Sequence, residues 1–258
     1  MRDIVFAIPS YRRADRQLAV RWLSRLGYKP SEIFVAVQND EDRAAYTDAL
    51  RGVATVFGRN GVGVSFNRNQ CLSVRPDARL VMVDDGVRGV SVKTPQGKCE
   101  SVKTRERLDA MLSLMFDFAE RNRVDVFSLN PSSNGLCATS KDFINHLLVN
   151  TFMGIVDRHT LFNESMSCNE DTERNARIVR GGGRTYRFSY AFPNVTHGLT
   201  GGQYANHKRE VQERAKVIVA RHFPDFVSLS RNRSGEVALV FNRDRYWVRK
   251  SGVLFGKI

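Results

Sequence analysis

Residues 79–86 read RLVMVDDG: an apolar run from Leu80 to Val83 that leads straight into the adjacent carboxylates Asp84 and Asp85 and then Gly86. A short apolar run bounded by turn residues reads as a strand buried on both faces, and that pattern belongs to parallel sheets covered by helices. The same pattern occurs twice upstream, as Ile4–Ile8 (IVFAI) ending in Pro9-Ser10, and as Ile33–Val37 (IFVAV) ending in Gln38-Asn39-Asp40. Between the first two runs, residues 14–26 place Leu18, Trp22, Leu23 and Leu26 on one helical face and stop at Gly27. After the second, a short helix is predicted over 41–50, a third strand over 53–57, a glycine-rich loop over 58–63 and a helix over 64–72. Strand and helix therefore alternate, which predicts an α/β sheet flanked by helices, with ligands bound outside the carboxyl ends of the strands.

Beyond Gly86 the rhythm changes. Ser91-Val92-Lys93-Thr94 recurs as Ser101-Val102-Lys103-Thr104 around a Pro95-Gln96-Gly97 turn, which predicts a hairpin flap. A helix over 105–123 leads to a strand over 124–129. Two helix-like stretches, 141–149 and 169–180, flank a strand at 153–156, and a last long helix covers 206–223. The tail alternates as antiparallel strands at 226–229, 237–241 and 246–248, with a turn at Ser234-Gly235. The expected organisation is a catalytic domain over 1–224 with a small basic β-rich annex over 225–258.

The chain has 258 residues, 42% of them hydrophobic and 26% charged, as expected of a folded chain rather than a disordered one. Its longest mostly apolar stretch, Leu147–Val156, is about half the roughly 18–20 residues a helix needs to cross a bilayer. No signal-peptide core stands at the start, so the expected location is the cytoplasm. Four cysteines lie about thirty or more positions apart with no C-x-x-C pair, which argues against both a zinc site and a disulfide framework.

Net charge is +13 and its distribution is uneven. Residues 1–171 carry 23 basic and 21 acidic side chains, whereas 172–258 carry 17 and 6. Solubility needs net charge but not its segregation, so a basic last third points to a polyanionic partner, most simply nucleic acid. Arg231, Arg233, Arg243, Arg245 and Arg249 interleave there with Phe241, Tyr246 and Trp247, a composition that can hold a phosphate backbone and stack bases. It equally fits a sheet with aromatics inward and arginines in solvent.

Paired carboxylates at a strand end can hold Mg²⁺ or Mn²⁺ through oxygen ligands and leave room for a diphosphate. Alone, Asp84-Asp85-Gly86 is also an ordinary turn. Gly61-Val62-Gly63 precedes a helix with Ser65, Arg68 and Asn69, so amides, a helix N-terminus and a guanidinium converge where an anion can bind. Pro9-Ser10-Tyr11-Arg12-Arg13 suits a nucleotide base or phosphate. Glu170-Asp171 opens a helix, where acids are favoured by the dipole whether they cap it or act as a base. His197 before Gly198-Leu199-Thr200-Gly201-Gly202 is a further metal or phosphate candidate.

In order, "IPSYRR", "VAVQNDEDRAAYTDAL", "GVGVSFNRNQCL", "VMVDDG", "NED" and the His197-to-Gly202 segment resemble a GT-A type glycosyltransferase over residues 3–225. They are most similar to the TET-associated glycosyltransferases of phages. The resemblance implies transfer of a sugar from UDP or another nucleotide carrier to hydroxymethylcytosine or hydroxymethyluracil in DNA, inside an infected bacterial cell. It implies that Pro9, Ser10, Tyr11, Arg12, Gln38, Gly63, Arg68, Asn69 and Asp84 bind the nucleotide sugar. Asp85 and His197 would hold Mn²⁺ or Mg²⁺, and Asp171 with Glu170 would serve as base. Gly86 stands where that family often has a third Asp, which puts the metal in doubt. The residues also fit a glycosyltransferase with a non-DNA acceptor, a nucleotidyltransferase, or a nucleic-acid-binding protein with a degenerate pocket.

Overall fold

The computed structural model describes residues 2–132, 134–139, 141–146, 151–196, 209–231, 235–242 and 247–250, the last four as a strand. The first half alternates as expected: β1 (Ile4–Pro9), α1 (Leu18–Arg25), β2 (Ile33–Val37), α2 (Asp40–Ala49), β3 (Thr55–Gly58), α3 (Val64–Leu72) and β4 (Arg79–Val83). β1 pairs in parallel with both β2 and β4, and β2 with β3. The chain thus leaves β1 toward β2 and β3, then crosses back through α3 to lay β4 on the other side of β1. That reversal is a topological switch point, and sheets of this kind bind ligands in the crevice outside the carboxyl ends of the strands there, here β1 and β4.

Side-chain alternation along β1 explains both helical layers. Ile4, Phe6 and Ile8 enter one core with α1, Tyr46 of α2 and the long helix α4 (Arg105–Arg121). Val5 and Ala7 enter the other with Cys71 and Leu72 of α3.

After β4 comes the predicted hairpin, β5 (Val87–Lys93) with β6 (Cys99–Ser101), joined on its other edge by β11 (Ala191–Val195). Beyond β4 the main sheet is mixed. β9 (Phe152–Ile155) pairs antiparallel with β4 and with β7 (Val126–Leu129), β10 (Thr185–Phe188) pairs in parallel with β7, and β8 (Lys141–Ile144) antiparallel with β10. The described order is β14-β8-β10-β7-β9-β4-β1-β2-β3, where β14 is Trp247–Lys250.

Two expectations are corrected here. Residues 141–144 form a strand and not the start of a helix, while 147–150 lie outside the described residues. Asp142 explains the choice: it is buried between two strands, where its carboxylate accepts hydrogen bonds from the Tyr186 hydroxyl (3.0 Å) and the Ser189 amide (2.9 Å). A short apolar run fits helix and strand alike until such a partner decides it. The tail strands also divide. β12 (Val227–Arg231) and β13 (Val237–Phe241) form a separate hairpin, but β14 hydrogen-bonds to β8 and so extends the main sheet. The hairpin packs through Val227, Leu239 and Phe241 on helix α6 (Arg209–His222) and on Ala176 of α5 (Glu170–Arg180). No helix among the described residues is long and apolar enough to cross a membrane.

Candidate active site

The loops that follow β1, β2 and β4 meet at the switch point, and α3 holds them there with polar side chains. Asn67 donates to the Ser10 carbonyl (3.0 Å), Gln70 to the Val37 carbonyl (3.1 Å), Ser65 to the Met166 carbonyl (3.1 Å), and Arg68 reaches both Asp84 and Glu170. A buried helix tolerates this polarity only because its polar atoms find partners. The helix begins at Gly63, whose φ of +97° is costly for any side chain, and the Gly63 amide donates to Gln38 Oε1 at 2.8 Å. Gln38 is buried and also accepts the Gly61 amide through its carbonyl, so it fastens the glycine loop from below.

Asp85 is 6% exposed, and both its oxygens are occupied. Ser10 Oγ donates to Oδ2 and Arg13 Nη1 to Oδ1, each at 2.7 Å. The hydroxyl directions follow from the donor inventory. The Arg13 amide donates to Tyr46 Oη (2.8 Å), Tyr46 donates to Ser10 Oγ (2.8 Å), and Gln17 Nε2 donates to the same oxygen (2.7 Å), so the single Ser10 proton goes to Asp85. Burial pushes the Asp85 carboxyl above its ordinary value against the pull of Arg13 and Ser10. Gln17 and Tyr46 were absent from the expected site, and Arg13 entered it only as part of the loop after β1. The apolar spacing that marks α1 and α2 hides residues that serve a loop on another strand.

Asp84, Arg68 and Glu170 form the second cluster. Arg68 Nη2 meets Asp84 Oδ1 and its Nε meets Glu170 Oε1, both at 3.1 Å, while Nη1 lies 3.6 Å from Met82 Sδ. Its side chain is 7% exposed, Glu170 8% and Asp84 36%, so Asp84 is the member that opens to the crevice. Burial alone would favour losing the Arg68 proton, but Asp84 and Glu170 outweigh it and hold the guanidinium above its ordinary value. Burial raises Glu170 to about 7 despite Arg68, with the Asp171 charge adding to the rise.

Because the folded state keeps a proton on Glu170 up to about pH 7 and the unfolded chain releases it near 4.5, this group stabilises the fold most at low pH. Its contribution falls as pH rises through that window. Thermal melts across the window are therefore expected to show the parent losing stability relative to Glu170→Gln as pH rises, at a slope of up to about 1.4 kcal/mol per pH step of one. A difference that stays flat with pH would show that Glu170 ionises normally.

Asn69, expected to contact the donor, exchanges hydrogen bonds with Phe162, accepting its amide at 2.7 Å and donating to its carbonyl at 3.0 Å. It ties down the loop that leads into α5. Buried Arg174 does likewise from α5, donating to the carbonyls of Thr160 (2.7 Å) and Asp157 (3.3 Å). Asp171 is half-buried in the first turn beside Glu170, its Oδ1 accepting the Thr172 amide at 2.7 Å. Pro9 is buried at the end of β1, and beyond it exposed Arg12 has its guanidinium 5.0 Å from the Tyr11 ring centre. His197, Arg233, Arg243 and Arg245 lie outside the described residues. Trp247 and Arg249 fall in β14, opposite Ile144 and Asp142 of β8. Arg231 is exposed, and its Nη1 donates to the Gly235 carbonyl at 2.9 Å.

A mixed sheet flanked by helices, with its switch point between β1 and β4, defines a class of fold, the Rossmann-like GT-A type. Within it, the chain belongs to the TET-associated glycosyltransferase family, whose model matches residues 4–202. Among solved structures, S. aureus TarS residues 1–349 is similar with a TM-score of 0.50 at 13% identity, over 85% of this chain and 64% of that one. A second S. aureus TarS structure gives 0.46 at 15%, over 84% of this chain and 40% of that one. The chain therefore spans less than two thirds of the TarS chains it resembles, and the likeness is one of fold. No curated protein matches.

Proposed function

We propose that this protein moves a sugar from a nucleotide sugar onto the hydroxymethyl group of a modified pyrimidine, hydroxymethylcytosine or hydroxymethyluracil, in DNA. The observation that carries the reading is the Arg68 guanidinium buried between Asp84 and Glu170 at the mouth of the crevice. Negative charge grows on the leaving diphosphate as its bond to the anomeric carbon breaks, and a preorganised cation in a water-poor site stabilises it. Asp171, at the edge of the same cluster, takes the proton from the acceptor hydroxyl, and Glu170 holds Arg68 in place. Tyr11 and Arg12 meet the nucleotide beyond the end of β1.

The DNA acceptor is supported by the family to which the chain belongs and, independently, by the charge gathered in its last third. A base inside a duplex must be turned out of the stack to enter such a crevice, and Arg231, Arg233, Arg243, Arg245 and Arg249 would hold the distorted backbone.

The test is mass spectrometry of nucleosides digested from DNA containing hydroxymethylcytosine or hydroxymethyluracil, after incubation with the protein and a panel of nucleotide sugars. The expected product is a nucleoside heavier by one sugar. Transfer to other polymers but never to DNA would refute the acceptor, and addition of a nucleotide would refute sugar transfer.

A further inference from the structure

We infer that the crevice carries its positive charge as arginine, with Arg68 standing between Asp84 and Glu170, and that Asp84 and Asp85 do not assemble a divalent-metal site. This rests on the sugar-transfer reading above, because it concerns how the leaving diphosphate is neutralised.

A divalent ion of the Mg²⁺ type needs near-octahedral oxygen ligands at about 2.0–2.1 Å, with carboxylates free to turn toward it. Asp85 is not free. Each of its oxygens accepts a hydrogen bond, one from Ser10 and one from Arg13, and Ser10 is itself fixed by Tyr46 and Gln17, so this buried carboxylate cannot turn toward a metal without giving up its ion pair with Arg13. These contacts join the loop after β1 to the loop after β4 across the switch point. The carboxylate therefore has a structural role in joining these two loops.

Asp84 does face the crevice, but one of its oxygens already binds Arg68, which neutralises it. Gly86, where a third Asp would supply a replacement, is buried in the turn from β4 to β5, and its carbonyl accepts the Thr196 amide at 3.0 Å. Among the described residues no group of three or more His, Cys, Asp or Glu side chains is placed to hold a metal. With Asp85 withdrawn, the expected ligands reduce to His197, which lies outside the described residues.

Arg68 is suited to the vacated role. It has five N–H donors, and Glu170, Met82 and Asp84 take one each, so two remain for phosphate oxygens. The acids around it set the direction of the guanidinium plane, which replaces the geometric control a metal would exert.

The test uses the unmodified protein, so no variant's folding enters. Transfer to hydroxymethylated DNA is measured with the same nucleotide sugar in excess EDTA and in Mn²⁺, and free Mn²⁺ is followed by electron paramagnetic resonance with nucleotide sugar present, with and without protein. A catalytic metal is worth on the order of a thousandfold in rate, whereas here EDTA is expected to change the rate less than about threefold. The free Mn²⁺ signal should be the same with and without protein. Transfer that EDTA abolishes and Mn²⁺ restores, or protein-dependent loss of the Mn²⁺ signal, would overturn the inference while leaving the sugar-transfer reading intact. No transfer in either buffer would remove that reading, and the inference with it.

Discussion

Arg68→Met is expected to lower kcat by about a hundred- to a thousandfold, the loss that follows removal of one preorganised donor to a developing charge. It should also destabilise the fold by about 3–5 kcal/mol above about pH 7, where Glu170 is ionised and breaking the buried ion pair leaves its charge uncompensated. Methionine keeps much of the volume and the unbranched stem of arginine, so the packing around Phe162, whose ring lies 5.9 Å from the guanidinium, is largely retained. What is lost is the charge between Asp84 and Glu170. The cost should shrink as pH falls toward 5, since Glu170 is then protonated and no longer needs a counter-charge. Arg68→Lys should recover part of the stability and little of the rate, because an ammonium cannot present a fork to two acids and a phosphate at once. Chemical denaturation at two pH values and single-turnover kinetics check both halves. An Arg68→Met protein with parental kcat would end the role assigned to this residue.

Asp171→Asn is expected to reduce kcat by about a hundred- to ten-thousandfold, the range general-base catalysis supplies, with donor affinity nearly unchanged. The change keeps shape and hydrogen-bond reach at the start of α5 but leaves nothing able to take a proton. The contrast with Glu170→Gln is diagnostic. Glu170 touches Arg68, so its loss should lower kcat only as far as Arg68 is displaced, by less than Arg68→Met does and with the donor KM also raised, whereas Asp171→Asn should lower kcat alone. Steady-state kinetics with the donor varied at saturating DNA separates the two. If Asp171→Asn keeps its rate while Glu170→Gln loses it, the base is Glu170.

Several parts of this site were legible because their signals are local. IVFAI, IFVAV and RLVMV are buried strands because nothing in them tolerates solvent, and the polar residues after each lie at carboxyl ends because an α/β chain places them there. Arg68, Asp84, Glu170 and Asp171 were expected to share one site, and the structure brings the first three within hydrogen-bond reach, with Asp171 beside Glu170. Residues whose roles depend on a distant partner were read less well. Gln38 and Asn69 were expected to face a ligand, and their loop-fastening hydrogen bonds could not be read beforehand, because an amide side chain serves a backbone as readily as a nucleotide. Tyr46 carries no local signal of a role on α2, yet its hydroxyl orients Ser10 from 36 positions away.

The amino-acid sequence by itself determined the alternation of strand and helix, the crevice at the strand ends, the glycine-dependent start of α3 and the basic last third. All follow from the period of apolar residues, the conformational freedom of glycine and a count of charges, which need no knowledge of what lies across the fold. Only the tertiary structure decided that 141–144 pair as a strand, that β14 returns to the main sheet, and which way each carboxylate turns. Asp84 and Asp85 are neighbours of identical chemistry, and no local property separates them. One opens to the crevice and pairs with Arg68, while the other turns inward to Ser10 and Arg13, because successive residues beyond a strand point to opposite sides and what waits on each side comes from other parts of the chain.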